Sequence, residues 1–241
     1  TGSRIRFVPP VNKNPRQSQG SGSRGCSNES LTGNLVTLLV PSKDYVGQTI
    51  SGRPTFFWYL SRAVTVPMQF TLVEDKVGGD TIFKKQIDSP QPGIIQLEFP
   101  KNQPELVSGK SYRWTITLIC NSRKPSANRF FFSFIQRVPT SADLEQQLAA
   151  TASTPNSPAP ILPSGNASGE RNASLKTLRD RASIYARSGL WYDAIATLST
   201  ALKLNPKNSS VQDDFLSLLD QVGLSEVAKQ ERQQFAKKSN Q

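Results

Sequence analysis

The sequence contains no histidine, only two cysteines and one methionine, and no run of about 18 apolar residues. Without histidine, Ser/His and Cys/His nucleophilic catalysis and His-based metal sites are excluded. Carboxylate-only and lysine-based chemistries stay open, but no pair of such residues stands out. No catalytic, metal-binding or cofactor-binding residue is therefore assigned, no cofactor is expected, and the expected function is non-enzymatic. The lack of a long apolar run leaves no transmembrane helix to expect. The chain opens at Thr1 rather than Met, which is expected of a processed, exported protein and equally of a trimmed sequence.

Compact-core residues are also scarce. Hydrophobic residues make up 36% and charged residues 20%, beside 17 prolines and 15 glycines, which points to long stretches outside a core. At 241 residues there is room for two small domains. The formal charge is +11 and is unevenly spread. Residues 1–24 hold five basic and no acidic side chains, residues 25–138 thirteen against eight, and the remainder eleven against ten. Such a balance suits solubility or an acidic partner, with polyanionic polysaccharide the candidate and nucleic acid not expected.

The best-defined strand covers residues 110–120, where Tyr112, Trp114, Ile116, Leu118 and Cys120 share one face and Arg113, Thr115 and Thr117 the other. Six further strand-like runs, at 34–40, 55–60, 68–74, 81–87, 93–99 and 129–138, are separated by Gly/Pro-rich punctuation at the spacing of an all-β sandwich. The expectation is an immunoglobulin-like antiparallel β-sandwich over residues 26–138, preceded by a flexible basic arm over 1–25. Phe130, Phe132 and Phe134 are counted to the core, and the run 130–134 is read as a central strand buried on both faces; base stacking beside Arg123, Lys124 and Arg129 is the alternative. Four consecutive aromatics at 56–59 must place two on the second face of their strand. Phe57 and Tyr59 are therefore expected as an exposed face that could meet a glycan.

Cys26 and Cys120 are expected to form a disulfide, the alternative being a buried free Cys120. In the arm, Arg4 and Arg6 alternate with Ile5, Phe7 and Val8 before Pro9 and Pro10. Ile5, Arg6, Phe7 and Val8 are read as an assembly strand that pairs with a sheet of a neighbouring copy, or else folds back on its own chain.

Beyond the sandwich, residues 139–173 read as a helix capped by Ser141 followed by a Pro/Ser-rich linker, and 174–238 as a helical domain with Ser174 as its cap. Leu178, Ala182, Tyr185, Ala194, Leu198 and Pro206 fall at the key positions of a tetratricopeptide unit, and Phe215, Leu219, Gly223 and Ala228 suggest a second, degenerate one. One such unit cannot stand alone: either the second pair caps it, or it docks on the sandwich or on another subunit, with Trp191 and Tyr192 at its turn making the docking contact; the alternative is that Trp191 packs within its own pair and Tyr192 covers the end. Sequons at Asn28, Asn166, Asn172 and Asn208 are about as many as chance gives.

Read in order, Phe7-Val8-Pro9-Pro10, Arg24-Gly25-Cys26, the aromatic run 53–59, Pro92-Gly93-Ile94, Tyr112-Arg113-Trp114, Leu118-Ile119-Cys120, the run 134–138 and Gly189-Leu190-Trp191-Tyr192-Asp193-Ala194 resemble the cyanobacterial proteins grouped as domain of unknown function 928. The resemblance covers nearly the whole chain. It implies a secreted, extracellular or periplasmic β-rich domain with a helical tail, and no activity. The expected function is accordingly an exported protein making protein contacts, as a homo-oligomer or filament assembled through the arm; the alternative is a carbohydrate- or envelope-binding module.

Overall fold

The structure, a computed structural model, describes residues 5–11, 19–22, 34–41, 45–152 and 167–239. Among the described residues nine strands make two sheets. The larger runs β1 (Gln19–Gly22), β9 (Arg129–Arg137), β8 (Ser111–Leu118), β5 (Met68–Glu74) and β6 (Thr81–Ile87), and the smaller runs β2 (Val36–Leu38), β4 (Thr55–Leu60) and β7 (Gly93–Glu98). β3 (Gly47–Thr49) adds to the larger sheet in parallel, on the half of β9 that antiparallel β1 leaves free. All seven expected strands are present. β1 and β3 were not foreseen: one is Gly/Ser-rich, the other three residues long, and neither carries an apolar alternation.

The sheets meet through Met68, Phe70 and Leu72 of β5, Trp114 and Ile116 of β8, and Phe56 and Trp58 of β4, all fully buried. Phe56 lies 4.9 Å from Phe70 and 5.3 Å from Trp114 between ring centroids, within the range where aromatic pairs add to plain burial. The Trp58 indole N–H points to the Met68 sulfur at 3.1 Å.

Five helices follow among the described residues: α1 (Ala142–Ala152), α2 (Ala167–Arg187), α3 (Trp191–Leu204), α4 (Ser209–Gln221) and α5 (Ser225–Ser239), each packed on the next. Ser141 caps α1, its Oγ accepting from the Leu144 N–H at 3.2 Å. Ser174 does not cap α2, which begins a full two turns earlier; propensity alone cannot place a start inside a run of good helix formers.

α2/α3 and α4/α5 form hairpins that end alike. Gly189 and Gly223, 34 positions apart, both have positive φ (75° and 84°). In each hairpin the next residue returns its N–H to the carbonyl five back, Leu190 to Tyr185 and Leu224 to Leu219, while the glycine bonds the carbonyl three back. That double bond is the Schellman ending, which needs a residue at ease in the left-handed region.

The helices lie on the outer face of the smaller sheet. The Ser199 hydroxyl bonds Gln96 Oε1 at 2.8 Å, Lys203 lies 3.6 Å from Glu98, and Tyr59 sits beside Glu231 of α5. No described helix is long and apolar enough to cross a membrane.

Candidate functional site

Three consecutive residues at the start of α3 fasten the helices to the sheets. The Trp191 indole N–H donates to the Leu39 carbonyl at 2.9 Å. Tyr192 enters the sandwich: its hydroxyl accepts from the Trp114 indole N–H at 2.9 Å and donates toward the Phe134 carbonyl at 3.2 Å, and its ring stands edge-on to Phe56. Burial pushes the Tyr192 phenol well above its ordinary range. The Asp193 carboxylate accepts the Ile50 N–H at 3.2 Å and meets the Thr49 hydroxyl and the Ser51 amide; burial nonetheless raises it to about 6.

Trp191 and Tyr192 are both buried, and the bonds they make are to the chain's own sandwich. The sequence reading missed Asp193, and also Gly47, where an added Cβ would stand 2.7 Å from Tyr192 Cε2.

The arm residues seat in the same seam. Ile5 and Phe7 are buried, Phe7 edge-on to Trp191 at 5.3 Å, while Arg6 and Val8 face out. Gln221 holds the backbone on both sides, accepting from the Phe7 N–H at 2.8 Å and donating to the Ile5 carbonyl at 2.9 Å. The Val8 N–H reaches the Ala186 carbonyl at 3.0 Å. Within the chain, residues 5–8 are extended but join no sheet, because the groove they enter is walled by helices α2, α3 and α4 rather than by an open strand edge.

The expected glycan face is corrected. Phe57 and Tyr59 are 1% and 5% exposed, because the helices cover the outer face of their sheet. Cys26 lies outside the described residues; Cys120, half-buried just past β8, is not a free thiol.

The open face is the other one, on the outside of the larger sheet. Trp114 pairs with Ser133 and Ile116 with Phe131 in the β8/β9 register, which turns Phe131, Ser133 and Ile135 inward and Phe130, Phe132 and Phe134 outward. The reading of 130–134 as buried on both faces, and of these three as core, is thereby overturned; Phe130 is 41% exposed and the other two are half-buried. Centroids are 6.4 Å apart from Phe130 to Phe132 and 5.8 Å from Phe132 to Phe134.

Across the strands the register sets polar partners beside each ring. Phe130 stands across from Thr117, with Gln69 and Gln86 following on the next two strands; Phe132 across from Thr115, with Thr71 and Lys84 following; and Phe134 across from Arg113, with Val73 beyond. On the far side β1 offers Gly22 opposite Phe130 and Gly20 opposite Phe132, positions with no side chain to cover a ring. A depression of about 460 Å³ runs along this surface between Gln69, Arg113, Thr115, Thr117, Phe130 and Phe132. Among the described residues no group of three or more acidic, cysteine or histidine residues could hold a metal.

Two mostly antiparallel sheets carrying a five-helix tail, with an aromatic and polar outer face, define the class of protein. The chain belongs to the family described as Domain of Unknown Function (DUF928), whose model matches residues 19–162 and 163–232. No curated protein matches it. Among solved structures it is similar to a multi-domain immunophilin from Arabidopsis thaliana, at 8% identity over 96% of this chain and 100% of that one, with a TM-score of 0.25. It is also similar to a β-glucuronidase 2 from Bacteroides uniformis, at 12% identity over 80% of this chain, with a TM-score of 0.23. The chain spans only 34% of that enzyme. TM-scores this low carry no argument about fold or function.

Proposed function

We propose that this protein is a non-enzymatic, exported binding protein that takes a carbohydrate on the outer face of its larger sheet. The observation that carries the reading is the row Phe130, Phe132 and Phe134, left open on a strand whose neighbour β8 presents Thr115 and Thr117, with Gln69 and Thr71 on the strand after it. Flat apolar rings flanked by hydroxyl and amide groups match a sugar, which is apolar across its C–H face and polar around its rim. In this reading the sheets form an immunoglobulin-like sandwich. The repeated hairpins are tetratricopeptide-like units that buttress it from the opposite side. Export is supported by the two-cysteine composition: a Cys26–Cys120 disulfide would persist in an oxidising compartment.

A glycan array tests it. Wild type binds at least one glycan class, and Phe132→Ala, melting at the same temperature, loses that signal. No binding to any glycan, or an unaffected Phe132→Ala, contradicts it.

A second reading keeps self-assembly. The arm is held as an added peptide would be, with alternate side chains buried and the backbone bonded to Gln221 and Ala186, so the same groove could take the arm of another copy. If the full chain is monomeric by light scattering across concentration, that reading fails.

A further inference from the structure

We infer that the ligand of the outer face is an acidic polysaccharide, a chain of sugars bearing carboxylate or sulfate groups. The inference rests on the carbohydrate reading above and narrows it. Its first ground is the sign of the charge. The outward positions of β5, β6, β8 and β9 carry Lys84 and Arg113 and not one acidic residue. The loop leading to the depression adds exposed Arg123 and Lys124.

The second ground is placement. Arg113 pairs directly with Phe134 in the β8/β9 register and lines the same depression as Phe130 and Phe132. A guanidinium there can meet a carboxylate or sulfate in a forked, two-bond geometry while the sugar ring rests on the phenyl row. Between them lie Thr115 and Thr117, and Gln69 is held toward Thr71 by a 3.2 Å bond, so the floor supplies hydroxyl and amide partners for ring hydroxyls.

A single-stranded nucleic acid is the competing polyanion. Its binders line a groove that tracks the phosphates with positive charge. Here only two of the outward strand positions are basic, and uncharged hydroxyl and amide side chains on the same face outnumber them, which favours the sugar.

The test uses the full chain against three immobilised probes, alginate, neutral dextran and oligo-dT, by biolayer interferometry at two salt concentrations. Alginate is expected to bind best and to weaken as salt rises. Arg113→Gln should weaken alginate about tenfold, the loss of one charge-assisted hydrogen bond, and leave dextran unchanged. Phe130→Ala with Phe132→Ala should weaken both sugars. Dextran binding as well as alginate, indifferent to Arg113→Gln, would overturn this inference and leave the carbohydrate reading standing. Binding to neither sugar would overturn both. Oligo-dT binding more tightly than alginate, or a dimer that Phe130→Asp converts to monomer, would show that the face serves another partner and overturn it as well.

Discussion

The Trp114 indole N–H donates to the Tyr192 hydroxyl across 2.9 Å, inside the core, between residues 78 positions apart in the chain. One is the inward tryptophan of the best-formed strand; the other is the second residue of α3. The bond ties the helices to the sandwich, and breaking it inside the core would leave a buried indole donor unsatisfied. Tyr192→Phe keeps the ring and removes the bond. An unsatisfied buried donor costs about 1–3 kcal/mol, so the unfolding free energy from urea melts should fall by that amount, moving the midpoint down with the transition still single. An unchanged midpoint would mean the pair contributes nothing.

Gly47 is the opening through which Tyr192 passes. A methyl there would stand 2.7 Å from the Tyr192 ring, well inside contact distance. Gly47→Ala should cost about 1–3 kcal/mol by overpacking, and the double variant Gly47→Ala with Tyr192→Ala should lose less than the sum of the two single losses. Additive losses would separate the two sites.

Asp193 sets a pH dependence. Its carboxyl is raised by burial from 3.8 to about 6 in the folded chain. Between those values the folded state therefore holds more protons than the unfolded state, so this group's contribution to stability falls as pH rises through the window. Wild type should gain stability relative to Asp193→Asn as pH drops from 7 toward 4. Superimposable pH profiles, or a carbon-detected titration of Asp193 near 4, would contradict this.

Removing the arm should destabilise the fold. Ile5 and Phe7 are almost fully buried, and burying each such side chain is worth about 1.5–3 kcal/mol. Deletion of residues 1–10 should lower the melting temperature by several degrees and expose Trp191, visible as a red shift in fluorescence. A truncated chain with the same melt would show that the seat is dispensable.

Reduction tests the proposed Cys26–Cys120 link. Closing a loop of roughly 95 residues stabilises by about 4–5 kcal/mol in the chain-entropy account. A melt unmoved by reductant, or two thiols titrating in the native protein, would rule the link out.

Much of this architecture was written in the sequence, and the misses share one cause. Strands β4 to β9 and the Gly189 and Gly223 turns declare themselves through local period and punctuation. What failed was the choice of face. In the run 130–134, three phenylalanines on one parity outweigh Phe131, Ser133 and Ile135 on the other, so apolar count alone turns the strand the wrong way. The structure turns Ser133 inward because Tyr192, arriving from the helical tail, fills the space that a small residue leaves and meets its hydroxyl. Phe57 and Tyr59 were misjudged for the same reason: the cover over them comes from α3 and α5, far along the chain. Side-chain period shows that a strand has two faces; which one stays open is decided by elements distant in sequence.

The open face of the larger sheet is the proposed sugar site. Titrating isotope-labelled full-length protein with an alginate oligomer and following amide and aromatic resonances addresses it directly. Shifts should concentrate on Arg113, Thr115, Thr117, Phe130 and Phe132, with the helices α2 to α5 silent. Shifts confined to the helices or to the arm groove, or none at saturating oligomer, would contradict it.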